Sequence, residues 1–203
     1  MTYSIILPAY KEAKNLNVMI DQIQKVMTKK FFEIIIVDDF SNDGTENILL
    51  TKQKKYKNII FFIRKIKDRS LAKSIYKGIT LSKYKNIIVM DSDFNHKPND
   101  LKKLINVYEK KNLDFVIGSR FEQVNFKKLK LRFILSYYFC IFLSSLLDIK
   151  SPDSLSGFFI IKRKIIKKST KKNIFYGYGD FFFRLIYFVE KKNYKYQNVQ
   201  VRY

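Results

Sequence analysis

IIVMDSDFNHKPNDL, Ile87 to Leu101, is the stretch from which the rest of the chain can be read. Ile87 to Met90 is a short apolar run of the kind that forms a buried strand, and after it come two carboxylates at i and i+2, Asp91 and Asp93. On extended chain such side chains point to one side. Two carboxylates about 5 Å apart repel by roughly 3 kcal/mol at an effective dielectric of 20, a cost that a cation between them removes. Mg²⁺ suits that gap, because one or two carboxylates commonly hold it while substrate phosphate oxygens and water complete its octahedron. Asn95, two residues further on, offers a neutral oxygen to the same ion. The same letters also spell an Asx turn leading into a helix, and from this stretch alone both readings stand.

Outward from this stretch, residues 3 to 120 alternate short β-branched runs with helical patterns. Ser4 to Leu7, Ile34 to Val37, Ile59 to Ile63, Ile87 to Met90 and Phe115 to Ile117 read as strands. Leu16, Met19, Ile20, Ile23 and Met27 recur at helical spacing, as do Leu71, Ile75 and Ile79, and Leu101, Leu104, Ile105 and Tyr108. Strict alternation predicts an α/β fold with a mostly parallel central sheet and helices on both faces. Ligands on such sheets bind beyond the carboxyl ends of the strands. The polar signals fall there: Pro8 to Glu12, Asp38 to Thr45, Asp91 to Asp93, and Gly118 to Arg120. Each loop alone is explicable as turn chemistry, with Gly44 supplying a positive φ and Asp43 or Thr45 capping the next helix. Together they predict one polar rim.

At 203 residues, 47% hydrophobic and 29% charged, the chain is expected to form one globular domain, with residues 1–120 as a ligand-binding half and 121–203 as a second half. Its one cysteine, Cys140, excludes an intrachain disulfide and fits a reducing compartment. Ser4 to Leu7 is too short for the apolar core of a signal peptide, which predicts a cytoplasmic location. The net charge of +22 favours polyanionic partners such as nucleotide phosphates or an anionic membrane surface. No RNP, KH, helix-turn-helix or zinc pattern accompanies it, so nucleic acid is not the expected partner.

Six segments in order, IILPAYKEAKNL, EIIIVDDFSNDGT, VMDSDFNHKP, DFVIGSRF, SPDSLSGFF and GYGDFFFRLIYF, resemble the family 2 glycosyltransferases of GT-A fold. Within that family the chain is most similar to the polyprenyl-phosphate (dolichyl-phosphate) mannosyl- and glucosyltransferases. The resemblance implies that Pro8, Tyr10 and Glu12 hold the nucleotide base, and that Asp38 and Asp39 contact base and ribose. It implies that Asp91 and Asp93, with Asn95, bind Mg²⁺ or Mn²⁺, and that Arg120 and Arg132 lie near phosphate. Asp153 matches the acid of the D-x-x-S-G-F motif and joins Asp93 and Arg120 as a candidate catalytic residue. Side-chain chemistry agrees, since a carboxylate after a strand can accept from a base or a ribose diol and an arginine can clamp a phosphate in a fork. Other readings stand beside three of these: Glu12 as a helix-start acid, Arg132 as part of a solvated basic face, and His96, the only histidine, as a first-turn residue rather than a ligand.

Phe133 to Leu147, FILSYYFCIFLSSLL, is too short to cross a bilayer. Preceded by Lys127, Lys128, Lys130 and Arg132, it reads either as an interfacial helix at the inner face of the membrane or as a core helix covering the sheet. The chain departs from the family pattern at the Lys67 to Leu71 loop, which lacks the usual glycines, and at Asn198 and Gln200, where glutamate and proline are usual. The resemblance also implies a further basic segment after Tyr203, supplied by a longer chain or by a membrane subunit.

The activity expected is inverting transfer of a hexose from a nucleotide diphosphate sugar, GDP-mannose or UDP-glucose, to a polyprenyl phosphate. Such an acceptor is largely ionised at neutral pH, its second pKa being near 6, and needs no strong base. A saccharide hydroxyl in surface polysaccharide or glycan synthesis would need one, with Asp153 or Asp180 as candidates. An inactive scaffold subunit of the same fold is the other alternative. A nucleotidyltransferase would open with a glycine-rich loop after the first strand, and Pro8-Ala9-Tyr10 has no glycine.

Overall fold

The computed structural model describes residues 1–65, 69–121, 131–168 and 174–201, with residues 131–133 described by their backbone alone. The elements in chain order are β1 (Thr2–Ala9), α1 (Ala13–Val26), β2 (Phe31–Asp38), α2 (Thr45–Lys55), β3 (Ile59–Ile63), α3 (Leu71–Leu81), β4 (Asn86–Val89), α4 (Asp100–Lys110), β5 (Phe115–Ser119), α5 (Leu131–Leu147), β6 (Phe159–Lys162), α6 (Arg163–Lys168), α7 (Phe181–Lys191) and β7 (Tyr196–Gln200). The strands form one seven-stranded sheet in the order β3-β2-β1-β4-β6-β5-β7. All neighbours are parallel except at β6, which runs antiparallel to both β4 and β5.

Strands covered on both faces need apolar residues at every position, and β1 shows this: Tyr3, Ile5 and Leu7 pack on one side while Ile6 packs on the other. The first side meets Leu16, Met19, Ile20 and Ile23 of α1 and Leu101, Leu104, Ile105 and Tyr108 of α4. The second meets Ile75 and Ile79 of α3, Ile165 of α6, and Phe181, Phe182, Leu185 and Ile186 of α7. The predicted α/β architecture with helices on both faces is therefore present.

Four features depart from the sequence reading. β4 ends at Val89, and residues 92–96 form a bend in place of extended chain. Ser92 Oγ donates to Pro8 O, and Phe94 has φ +65°, a left-handed conformation that extended chain does not contain. α2 buries only Thr45, Leu49 and Lys52, too few apolar residues to leave a periodic signal. β6 and β7 come from the second half of the chain, and β6 lies between β4 and β5, so residues 121–203 complete the sheet begun by residues 1–120. α5 is not a core helix: Cys140 is its one buried residue among those with described side chains. Leu135, Tyr138, Phe139, Phe142 and Leu146, spaced as one helical face, are exposed, Leu146 to 68%. Among the described residues no helix is long and apolar enough to cross a membrane.

Candidate active site

The antiparallel insertion of β6 builds the rim. Because β6 runs against its neighbours, the segment leading into it, Ser151 to Phe158, arrives at the edge where β4 and β5 end, between the Asp91 loop and the Arg120 loop. Gly157 lies against Asp91 so closely that a Cβ there would stand 2.8 Å from Oδ2 and 2.9 Å from Oδ1. Only glycine leaves room for that carboxylate.

Through the bend after β4, exposure alternates. Asp91, Asp93 and Asn95 are accessible, Asp91 to 31% of its side chain, whereas Ser92 and His96 are buried. Asp93 Oδ1 accepts from the Asn95 N–H at 3.0 Å and Oδ2 from the Asn95 amide. The turn reading is thus realised, and the acids still face outward. His96 Nε2 lies 3.4 Å from Asp91 Oδ2. Among the described residues no group of three or more His, Cys, Asp or Glu side chains could hold a metal. Two outward carboxylates and an amide oxygen beside a glycine instead fit a hard cation that takes its remaining oxygens from substrate and water.

The loops after β1 and β2 are laced together. Lys11, at φ +59°, donates its N–H to Ser41 Oγ, Asp39 N–H donates to Ala9 O, and Ala13 N–H donates to Asp43 Oδ2. Asp43 also accepts from Thr45 N–H and Oγ1, and Gly44 supplies the expected positive φ of +88°. Asp38 is buried and accepts from the N–H and hydroxyl of Ser41. Burial pushes its carboxyl up, and the Ser41 bonds offset only part of that. Glu12 begins α1 and accepts from Asn15 Nδ2, so its carboxylate lies along the first helical turn. Pro8 is buried, with its carbonyl held by Ser92.

Asp39 has partners that the sequence reading did not find. Its Oδ1 accepts from Arg64 at 2.8 Å and from Ser74 Oγ at 2.6 Å, and its Oδ2 accepts from Ser70 N–H. Arg64 is itself buried and also donates to Ser70 O. Ser70 Oγ donates to Gly177 O, which ties this network to the turn before α7. The available signal was an arginine directly after β3, beside the acid pair that ends β2. Arg69 was also missed: its guanidinium lies 4.1 Å from the centre of the half-exposed Tyr10 ring, with Lys11 Nζ 5.5 Å from the same ring.

Across the rim, Asp153 is fully buried and paired with Arg120 in a fork: Oδ1 accepts from Nη2 at 2.7 Å, and Oδ2 from Nε at 3.0 Å and from the backbone N–H at 2.8 Å. Ser156 Oγ donates to Gly118 O, and Ser151 Oγ donates to Asn198 Oδ1, giving that departure from the family pattern a partner. Asp180 accepts from Arg184 at 2.7 Å and from Tyr178 N–H. Burial alone would raise its pKa, but these bonds carry it below the usual carboxylate range. α5 reaches this side through Cys140, which lies beside Ser154 with its thiol pKa pushed up by burial, and through Tyr137, edge-on to Phe121 at 5.2 Å. Arg132 sits in the first turn of α5, and its side chain lies outside the described residues, as do Lys67, Asp68, Lys127, Lys128 and Lys130.

Residues 4–170 match the model of "Glycosyl transferase family 2". An uncharacterized protein of Methanocaldococcus jannaschii is 34% identical over 173 residues, 80% of this chain and 72% of its own length. A dolichol-phosphate mannosyltransferase of Pyrococcus furiosus and a dolichyl-phosphate beta-glucosyltransferase of Dictyostelium discoideum are each 30% identical, over 82% and 85% of this chain. The chain spans 48% and 56% of the length of those two relatives. Among solved structures, glucosyl-3-phosphoglycerate synthase from Mycobacterium tuberculosis, crystallised with Mn²⁺, UDP and glucosyl-3-phosphoglycerate, superposes with a TM-score of 0.76 at 15% identity, over 99% of this chain and 70% of that one. The fold, the ordered rim and the family match agree: the chain belongs to glycosyl transferase family 2, with the family's GT-A architecture and a relationship to the dolichyl-phosphate glycosyltransferases.

Proposed function

We propose that this chain is a metal-dependent inverting hexosyltransferase that moves mannose or glucose from a nucleotide diphosphate sugar to a polyprenyl phosphate. The observation that carries the reading is a division among the rim acids. Asp91 and Asp93 face outward beside Gly157, whereas the two acids placed to act as a base, Asp153 and Asp180, are each paired with an arginine. A carboxylate held by an arginine, in a fork at Asp153 and through one bond at Asp180, is a poor proton acceptor, which disfavours a sugar hydroxyl as acceptor. An acceptor that arrives ionised, as a phosphate does, needs no such group.

Asp91 and Asp93, with Asn95, would hold Mg²⁺ or Mn²⁺, which when bound neutralises the charge that grows on the diphosphate as the sugar departs. Arg69 and Lys11 beside Tyr10 supply cations on the nucleotide side, and Asp38 orders the Ser41 loop against which the base would rest. Pro8 and Glu12 flank the loop assigned to the base, while Asp39, through Arg64 and Ser70, ties the end of β2 to the start of α3. Arg120, fixed by Asp153, and Arg132 are both assigned to phosphate. The exposed apolar face of α5, in a chain of net charge +22, suits attachment to an anionic membrane leaflet where a polyprenyl acceptor resides. Two relatives bear names that include dolichol or dolichyl phosphate, which supports this acceptor class.

The test is a screen of GDP-mannose and UDP-glucose with Mn²⁺ or Mg²⁺ and a short polyprenyl phosphate, read as released nucleotide and lipid-linked sugar. The expected result is metal-dependent transfer to the lipid phosphate. Transfer to a soluble oligosaccharide and none to the lipid would overturn the acceptor assignment. No metal-dependent nucleotide-sugar binding would leave the scaffold reading.

A further inference from the structure

The only histidine, His96, is buried to 1% exposure in the turn that carries the candidate metal ligands. Its ring packs on Phe158 with centroids 5.0 Å apart, and Phe158 follows the glycine whose backbone confines Asp91. Its Nε2 lies 3.4 Å from Asp91 Oδ2. Asp91 is therefore bounded on one side by the Gly157 main chain and on another by an imidazole nitrogen, with part of its carboxylate open to solvent. A carboxylate that binds a hard cation at a fixed place needs its rotamer held, and groups that contact a ligand without touching the ion commonly hold it.

We infer that His96 is a positioning residue for Asp91: its Nε2–H directs Oδ2, so that Oδ1 is presented to the cation, and its ring docks the D-x-D turn onto the S-G-F-F segment. This inference deepens the proposed function and rests on the metal role of Asp91 given there. Neither residue reacts, and His96 touches neither ion nor substrate. A purely structural histidine predicts that any variant of equal stability binds metal equally. A positioning histidine predicts that a donor at the Nε2 place matters by itself.

The experiment titrates MnCl₂ by calorimetry into wild type, His96→Leu, His96→Gln and Asp91→Asn, each saturated with UDP or GDP, alongside thermal melts without metal. Glutamine can place an amide donor near the Nε2 position, whereas leucine has none. Expected is a 10- to 100-fold weaker Mn²⁺ affinity, on the order usual for lost outer-shell partners, in His96→Leu, with affinity in His96→Gln within about threefold of wild type. Wild-type affinity in His96→Leu, together with loss in Asp91→Asn, would overturn the inference and leave the metal site intact. Wild-type affinity in Asp91→Asn would overturn the metal role itself, and this inference with it. Should His96→Leu fail to fold, His96→Asn replaces it: its shorter amide does not reach Oδ2, so asparagine weaker than glutamine supports the positioning role and equal affinities refute it.

Discussion

The loop after β2 and the segment leading into β6 differ from the loop after β4 in what their acids do. Asp38, Asp39, Asp43 and Asp153 accept hydrogen bonds that bind one loop to another or close a turn, and Asp39 and Asp153 each hold an arginine. Asp93 bonds to Asn95 of its own turn, Asp91 lies between His96 and the Gly157 backbone, and both acids face outward. Acids that look alike in sequence thus fall into two kinds: those that build the rim and those the rim presents. Substitution should separate the kinds, because the first costs stability and the second costs chemistry.

The largest effect is expected at the presented pair. Asp93→Asn should lower transfer by about 10³-fold or more, roughly 4 kcal/mol of transition-state stabilisation, while the melting temperature stays near that of wild type. A variant that melts early and keeps its turnover per folded molecule would erase the distinction. Next comes Arg120→Ala, which leaves Asp153 buried without its charge partner. Breaking such a pair costs about 3–5 kcal/mol, or roughly 10 °C in a chain of this size, and a thermal melt reads it directly. Adding Asp153→Ala should recover part of that loss, since the stranded charge is then gone.

A smaller effect tests α5 against the core helices. Leu135→Ser, Phe139→Ser and Phe142→Ser together should reduce co-sedimentation with anionic vesicles by about tenfold or more, with little change in stability because these residues are exposed. A large drop in melting temperature would mean that the helix belongs to the core after all. The smallest effect is expected at Asp180. Its pKa is lowered in the folded chain, so the stability it contributes is present above the unfolded carboxylate value, about pH 4, and is lost as pH falls through the lower folded value. Asp180→Asn should therefore be less stable than wild type above about pH 4, by a margin that shrinks as pH falls further. With the Asp180 side chain 44% exposed, the difference should stay below about 1 kcal/mol, and transfer should be reduced rather than abolished.

Much of the sheet was legible because strands buried on both faces leave unbroken apolar runs, as in Ile34 to Val37, and the helices over them leave a 3.6-residue period, as in α1 and α4. α2 left none, having Leu49 as its only buried apolar residue. The reversed direction of β6 was not readable either, since an apolar run carries no sign of its orientation. The outward acids were legible as a local pair. The partners of Asp39 and Asp153 were not, because Arg64 and Arg120 lie 25 and 33 residues away and meet them only once the sheet has formed. His96 was read as a first-turn residue for the same reason: its neighbour Phe158 arrives from the other half of the chain.

In the proposed function, Asp91 and Asp93 hold a divalent ion against the diphosphate of an activated sugar. Calorimetry of GDP-mannose and UDP-glucose binding, with and without Mn²⁺, in wild type and in Asp91→Asn/Asp93→Asn tests it most directly. Mn²⁺ should tighten binding of one donor to the wild-type chain and have no effect on the double variant. Equal affinity in both proteins, or binding in wild type that ignores the ion, would contradict it.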